Sequence, residues 1–124
     1  MEPASKFVAM LFLARDIAHR AHLGVHGDGS YAKHKALEEF YSEVVDLADE
    51  FTEQYQGEYE ELLDIPLLDN DYAGDIRGVL QKQKDWIVEN RYEICERDET
   101  PLQNTIDEIV RLYQTTNYKL KFLR

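Results

Sequence analysis

The sequence predicts an all-α fold, a bundle of four helices forming one domain over residues 1–124. Apolar residues recur at spacings of three and four and almost never at two, which is the period of a helix. Clusters containing glycine or proline divide this pattern into four long segments. A chain of 124 residues with 44% hydrophobic residues is long and apolar enough to form a single domain with its own core.

The first predicted helix runs from about Pro3 to His22 or Leu23, because proline suits a first helical turn and a glycine follows. Residues 24–30 contain three glycines and predict a short turn, with Ser30 capping the next helix. Such a short connection makes the first two helices antiparallel. The apolar face of the first helix comprises Phe7, Val8, Leu11, Ala14, Ile17, Ala18 and Ala21.

The second predicted helix covers about Tyr31 to Gln56 and ends at Gly57. Residues 58–74, which contain Pro66, are longer than an ordinary connection between helices. We expect them to cross from one end of the bundle to the other and to include a short helical turn. The inward positions of the second helix are Leu37, Phe40, Val44, Ala48, Phe51 and Tyr55.

The third predicted helix covers about Asp75 to Asp98, with Gly78 weakening its start. The fourth begins at Thr100-Pro101-Leu102-Gln103, which reads as a capping box with proline at the first helical position. The third helix turns Ile76, Leu80, Ile87 and Ile94 inward, with Trp86 beside them. The fourth turns Leu102, Ile106, Ile109, Tyr113 and Leu120 inward.

Composition favours some functions over others. A net charge of −11 argues against unaided nucleic-acid binding, since phosphate contacts require basic surface, and it favours cations as ligands. The longest apolar stretch, residues 7–14, is too short to span a membrane or to form a signal peptide. The single Cys95 fits a reducing cytoplasm and a buried thiol without a chemical role.

The second helix carries a stripe of metal-binding residue types beside its apolar face. With His34 set at 0°, Glu38 lies at about 40°, Asp49 at about 60° and Glu53 at about 100° around the helix. Each of the pairs His34/Glu38 and Asp49/Glu53 is spaced by four residues, so its side chains lie one turn apart on one side. Imidazole with carboxylate suits iron, manganese or zinc, whereas a solvated acidic face is the alternative reading.

Distance decides how these residues can cooperate. Fifteen residues separate His34 from Asp49, which is about 22 Å along a helix, whereas metal–ligand bonds are about 2 Å long. One copy of the helix cannot close one site with both pairs. If two copies of the helix pack antiparallel across a two-fold axis, His34 and Glu38 of one chain can face Asp49 and Glu53 of the other, which gives two equivalent sites.

Residues 22–38, HLGVHGDGSYAKHKALE, followed by DEFTE at 49–53, resemble the ferroxidase segment of the Dps proteins, the mini-ferritins. That segment has a histidine closing the first helix, a second histidine twelve residues later, an acid four residues on, and an Asp-x-x-x-Glu pair eleven residues beyond. All five positions are filled here, by His22, His34, Glu38, Asp49 and Glu53. Residues 99–123 are also similar to the last helix of the family.

The resemblance implies a ferritin-like four-helix subunit whose di-iron site lies between two-fold-related chains. It further implies that His22, His34 and Glu38 of one chain bind Fe²⁺ together with Asp49 and Glu53 of the other. Family members oxidise Fe²⁺ to Fe³⁺, with hydrogen peroxide preferred over oxygen, and store the product in a hollow shell of twelve subunits. The expected partner is therefore a second copy of the chain, in a dimer or dodecamer.

Four features depart from the family pattern. Glu38 stands where the family usually has aspartate, and Leu23 stands where a tryptophan commonly follows the first histidine. The chain is also short between the second and third helices, and no basic tail precedes the first helix. The DNA-coating behaviour of some family members is therefore not expected of this chain.

Three other readings remain open from the sequence. An intrachain site could combine Asp16-Ile-Ala-His19 with Glu89 or Glu93 of the third helix. The acids Glu38-Glu39 and Glu43-Val-Val-Asp46 resemble the magnesium sites of all-α nucleotide pyrophosphohydrolases. The third reading is an acidic helical adaptor that binds no metal.

Overall fold

A computed structural model describes residues 2–72 and 74–124, and every regular element within them is an α-helix. The helices are α1 at Pro3–Gly24, α2 at Ser30–Tyr59, α3 at Ile76–Ile94 and α4 at Thr100–Phe122. The prediction of an all-α fold with four helices is confirmed for the described residues.

The four helices form a square in which α1 and α4 each contact both α2 and α3. At one end of the α1–α2 pair the Tyr55 hydroxyl donates a hydrogen bond to Glu2, and at the other end His22 contacts His34, so these helices are antiparallel as predicted. Helix α4 is antiparallel to both of its neighbours, α2 and α3. It is joined to α2 by Gln54–Thr105 and Glu39–Lys119. It is joined to α3 by Arg91–Gln103 and Gln83–Tyr113.

The core lies between the four helices and is continuous from α1 to α4. All six inward positions predicted for α2 and all five predicted for α4 are buried. In α1 five of the predicted seven are buried, while Ile17 and Ala21 are partly exposed. Helical periodicity identified these faces because each helix has one side turned to the bundle.

The ends of α2 differ from the prediction. Ser30 does not cap the helix, because Gly29 occupies the capping position in the left-handed conformation and Ser30 already lies within the first turn. Gly57 does not end the helix, which continues to Tyr59 and stops where Glu60 adopts a left-handed backbone with φ of 55°. Glycine inside a helix costs only about 1 kcal/mol relative to alanine. The Tyr59 ring packs on Tyr55 and its hydroxyl donates a hydrogen bond to Glu99, and these contacts hold the last residues of α2 in place.

The junction between α3 and α4 also differs from the prediction. The capping box does not form, because Glu99 rather than Thr100 occupies the capping position and makes no side-chain cap bond. The Gln103 amide instead donates to the carbonyls of Arg91 and Cys95 at the end of α3. The Gln103 oxygen accepts from the Arg91 guanidinium at 2.9 Å. These bonds satisfy carbonyls that a helix end leaves without partners, and α3 accordingly ends at Ile94, four residues before the predicted Asp98.

The connection between α2 and α3 is extended, and residues 61–72 contain no helical turn, so that part of the prediction is wrong. Leu63 is buried, and Ile65 and Leu68 pack against the core from outside α1. Asp75 ends the connection and caps α3, where its carboxylate accepts from the Gly78 amide at 2.9 Å. None of the helices in the described residues has a stretch apolar and long enough to span a bilayer.

Candidate metal centre

The candidate centre lies at the end of the bundle where α1 stops and α2 begins. His22 is in the last turn of α1 and His34 is in the second turn of α2. The loop between them turns back within five residues, and Gly27 and Gly29 allow this because both have positive φ angles, 84° and 78°. The short loop therefore places two histidines that are twelve residues apart against each other.

His22 and His34 are joined by two reciprocal hydrogen bonds. Nδ1 of His22 lies 2.8 Å from the carbonyl oxygen of His34, and Nδ1 of His34 lies 3.1 Å from the carbonyl oxygen of His22. The two rings stack, with centroids 3.6 Å apart and planes inclined by 25°. The His34 bond also satisfies one of the last carbonyls of α1, which have no partner within the helix. We call this arrangement the histidine clasp.

The clasp fixes the tautomer of both neutral imidazoles. A carbonyl oxygen can only accept a hydrogen bond, so each Nδ1 carries the proton and donates it. Each Nε2 is then unprotonated and has a lone pair free for a metal ion. A backbone carbonyl that holds one ring nitrogen in this way is the usual means of orienting a metal-binding histidine.

Glu38 completes a group of three potential metal ligands within one chain. It follows His34 by one turn of α2, and ligand atoms of His22, His34 and Glu38 all lie within 4.8 Å of one another. His22 is only 6% exposed, whereas His34 and Glu38 are partly exposed. Glu38 forms an ion pair with Lys35, at 3.6 Å, and this solvated pair has little energetic weight. Glu38 is therefore free to move towards a cation.

Asp49 and Glu53 are not brought to this group in the single chain. Both are exposed on α2, eleven or more residues beyond Glu38, which is a distance of at least about 16 Å along the helix. They lie on the same side of α2 as Glu38, facing outward from the bundle. Within one chain the structure therefore assembles three of the five predicted residues and leaves two on open surface.

Two aromatic side chains that the sequence reasoning did not assign to the site extend it along the seam between α1 and α2. Tyr41 stacks on His19 with ring centroids 4.4 Å apart and presents its edge to His22 at 5.3 Å. The spacing could have indicated them, because His19 precedes His22 by three residues and Tyr41 follows Glu38 by three. These two rings therefore lie beside the clasp, between α1 and α2.

The acids of the alternative readings do not converge. Glu39 pairs with Lys119 of α4, away from Glu38, and Glu43 and Asp46 line an open groove with Glu108 and Arg111. Among residues 2–72 and 74–124, the histidine clasp with Glu38 is the only group of three or more histidine, cysteine or acidic residues close enough to share a metal ion. This group does not include His19, Glu89 or Glu93.

Comparison with known proteins gives a family but no activity. The chain is 31% identical over 117 residues to an uncharacterized 14.6 kDa protein of the mobD-ri intergenic region of Enterobacteria phage T4. This similarity covers 94% of the chain and 87% of the phage protein. No solved structure is significantly similar to the chain. Residues 27–120 match the family of unknown function DUF5856, and because they make up most of the sequence, the chain belongs to this family.

Proposed function

We propose that the chain is a Dps-type mini-ferritin that binds Fe²⁺, oxidises it and sequesters the product in the cytoplasm. The observation that carries the proposal is the histidine clasp, which presents two unprotonated Nε2 atoms beside the Glu38 carboxylate. Two imidazoles and one carboxylate with open positions suit a divalent iron ion, and manganese or zinc are expected substitutes.

The arrangement of the four helices supports this proposal, because it is compatible with a ferritin-like topology. In such a bundle the second and third helices run parallel at diagonal corners, and a crossover connects them along the length of the bundle. Two observations agree with this topology. Helices α2 and α3 are each antiparallel to α4, and the extended residues 61–72 pack outside α1.

A second copy of the chain supplies the remaining ligands in our proposal. The exposed Asp49 and Glu53 face outward on the same side of α2 as Glu38. If two copies of α2 pack antiparallel about a two-fold axis, Asp49 and Glu53 of the partner subunit come to lie opposite Glu38 and His34. Each dimer then has two equivalent sites, and six such dimers would make the twelve-subunit shell of the mini-ferritins.

The proposed reaction treats Fe²⁺ as substrate. Two Fe²⁺ ions, one hydrogen peroxide molecule and two protons give two Fe³⁺ ions and two water molecules, so that each iron loses one electron and the O–O bond breaks. The carboxylates of Glu38, Asp49 and Glu53 stabilise the added positive charge on the product. Neutral imidazoles are needed for binding, so acid that protonates the histidines weakens it.

Stopped-flow absorbance of Fe³⁺ formation tests this function. Anaerobic protein loaded with Fe²⁺ is mixed with hydrogen peroxide or with oxygenated buffer, and the rates are compared with those of free Fe²⁺. We expect acceleration by the protein and a faster reaction with peroxide than with oxygen. Rates equal to those in buffer alone would refute the ferroxidase function.

A further inference from the structure

We propose that the association of two copies through α2 depends on a divalent cation, so that the chain is a monomer without metal and associates with a second copy when metal binds. The proposal rests on the proposed function, since it assumes that Asp49 and Glu53 of one copy meet the histidine clasp of another. It adds a regulatory step, in which the cation controls assembly as well as reaction.

The outward side of α2 is charged in a way that opposes a metal-free pair. Within an arc of about 40° to 100° around the helix, Glu38, Asp49 and Glu53 carry negative charge and Lys35 carries the only positive charge. Two copies therefore bring six carboxylates and two lysines together, a surplus of four negative charges. Like charges placed opposite each other at an interface cost several kcal/mol and therefore oppose association of the two copies.

The same surface has little apolar area to offset this repulsion. Beside these charges, at about 0° to 80° around the helix, lie the small polar Ser42, the partly exposed Val45, Thr52 and Gln56. Apolar surface contributes only about 25 cal/mol per Å² when it leaves water, and stable interfaces between proteins usually bury about 1,600 Å² in total. A single valine and the exposed ring of Tyr31 supply a small part of such an area.

A cation at the clasp reverses the sign of the interaction. The three ligands of one chain leave coordination positions open, because zinc takes about four ligands and iron or manganese about six. Carboxylates of the partner subunit are suitable ligands for those positions. Two divalent ions, one at each site, also neutralise the surplus of four negative charges, so the face that repels a second copy without metal attracts it with metal.

Sedimentation velocity of the purified chain, with Zn²⁺ as a probe that cannot be oxidised, tests this proposal. In chelator we expect the mass of one chain, 14.6 kDa, and with one equivalent of Zn²⁺ per chain a mass at least twice as large. Equilibrium dialysis on the same samples measures how much Zn²⁺ is bound. Circular dichroism verifies that each variant is helical.

Two variants and one control separate the contributions. The double variant Asp49→Asn with Glu53→Gln keeps the clasp, so we expect it to bind Zn²⁺ yet to remain at the mass of one chain. The variant His34→Ala should neither bind Zn²⁺ nor associate. Glu50→Gln removes an exposed acid from the same helix, about 160° from His34, and should associate as the unmodified chain does.

The outcomes distinguish this inference from the function on which it rests. If dialysis shows no Zn²⁺ bound to the clasp, both the proposed function and the inference are overturned. If Zn²⁺ binds and the mass is the same with and without metal, the inference alone is overturned. Zn²⁺-dependent association of the Asp49→Asn, Glu53→Gln variant would equally contradict it, because these carboxylates would then not be the partner's ligands.

Discussion

His22 and His34 each hold the other in place, and this reciprocity accounts for the chemistry that we assign to them. Each ring gives its Nδ1 proton to a backbone carbonyl of the other helix, so neither ring can rotate without losing a hydrogen bond. Ring stacking at 3.6 Å and the edge of Tyr41 restrict them further. The two Nε2 atoms are therefore positioned before any cation arrives, which reduces the entropy lost on binding.

Removing one ring of the clasp should abolish tight metal binding. We expect His34→Ala to weaken Zn²⁺ binding by at least about 100-fold, since loss of even a group that only orients a ligand costs about 10- to 100-fold. Competition titration with a chromophoric chelator measures the affinity. His26→Ala is the matched control, because His26 is an exposed histidine in the adjoining loop. Equal losses in both variants would contradict the assignment of His34 as a ligand.

Gln103 is the side chain that we expect to matter most for the junction between α3 and α4. It is buried, donates to the Arg91 and Cys95 carbonyls and accepts from the Arg91 guanidinium. Gln103→Ala removes these bonds and leaves the Cys95 carbonyl without its side-chain donor, whereas Arg91 keeps its bonds to Asp107 and to the carbonyl of residue 103. We therefore expect the free energy of unfolding to fall by about 2 kcal/mol. Urea denaturation measures this change. Gln114→Ala, an exposed position on the same helix, should change stability by less than about 0.5 kcal/mol.

At the scale of helices, periodicity predicted the faces well and the ends poorly. The buried side of α2 follows from apolar residues at spacings of three and four, and Phe40, Val44 and Phe51 all lie in the core. Helix ends depend on contacts that are remote in sequence. The end of α3 is bonded to Gln103, and the end of α2 is held by the hydrogen bond from Tyr59 to Glu99, forty residues later.

The candidate site was predictable in part for the same reason. The spacing of His34 and Glu38 places them on one side of α2 in any straight helix. The clasp was not predictable, since it depends on the turn of a loop with two glycines of positive φ and on the rotamers of two rings. Spacing places His19 and Tyr41 one turn from His22 and Glu38, but their stacking depends on side-chain rotamers that the sequence does not show.

The antiparallel pairing of α2 helices makes a definite prediction about register. If His34 and Glu38 face Glu53 and Asp49 of the partner subunit, the two-fold axis passes near residues 43 and 44, with Ser42 opposite Val45 of the other copy. A mixture of Ser42→Cys and Val45→Cys chains should then form a disulfide-linked dimer on mild oxidation in the presence of Zn²⁺. Non-reducing electrophoresis detects this dimer.

The control for this register is Glu89→Cys, which places an exposed thiol on α3, a helix that packs on α1 and α4 and lies diagonally opposite α2. It should give little linked dimer under the same conditions, and the native Cys95 is buried and should not contribute. Linkage at Glu89→Cys as efficient as that of the mixed pair would show that the copies meet through another face.

At the scale of the whole molecule, buried groups that lose a proton only at high pH make the fold sensitive to alkali. Burial raises the pKa of Cys95 from 9.0 to about 11, and burial together with the hydrogen bond to Glu2 raises that of Tyr55 from 10.0 to about 12. Between the unfolded and folded pKa values the folded chain retains protons that the unfolded chain has lost. Stability is therefore complete below about pH 9 and falls as the pH rises towards 12.

Urea denaturation at pH 8, 9, 10 and 11 measures this loss. The double variant Cys95→Ala with Tyr55→Phe removes both groups and keeps a ring at position 55, so its free energy of unfolding should fall less steeply over this range. A slope equal to that of the unmodified chain would show that other groups, such as the buried Tyr113, whose pKa burial also raises, dominate the alkaline response.

In our proposal a working site takes its histidines from one chain and two of its carboxylates from another. To test this sharing, His34→Ala chains are mixed with Asp49→Ala chains without metal, and peroxide-dependent Fe²⁺ oxidation by the mixture is measured. Each variant alone should be almost inactive. In random pairs half of the dimers are mixed and each has one intact site, so roughly a quarter of the full rate should return. No recovery, with exchange of chains demonstrated by differently tagged copies, would contradict a shared site.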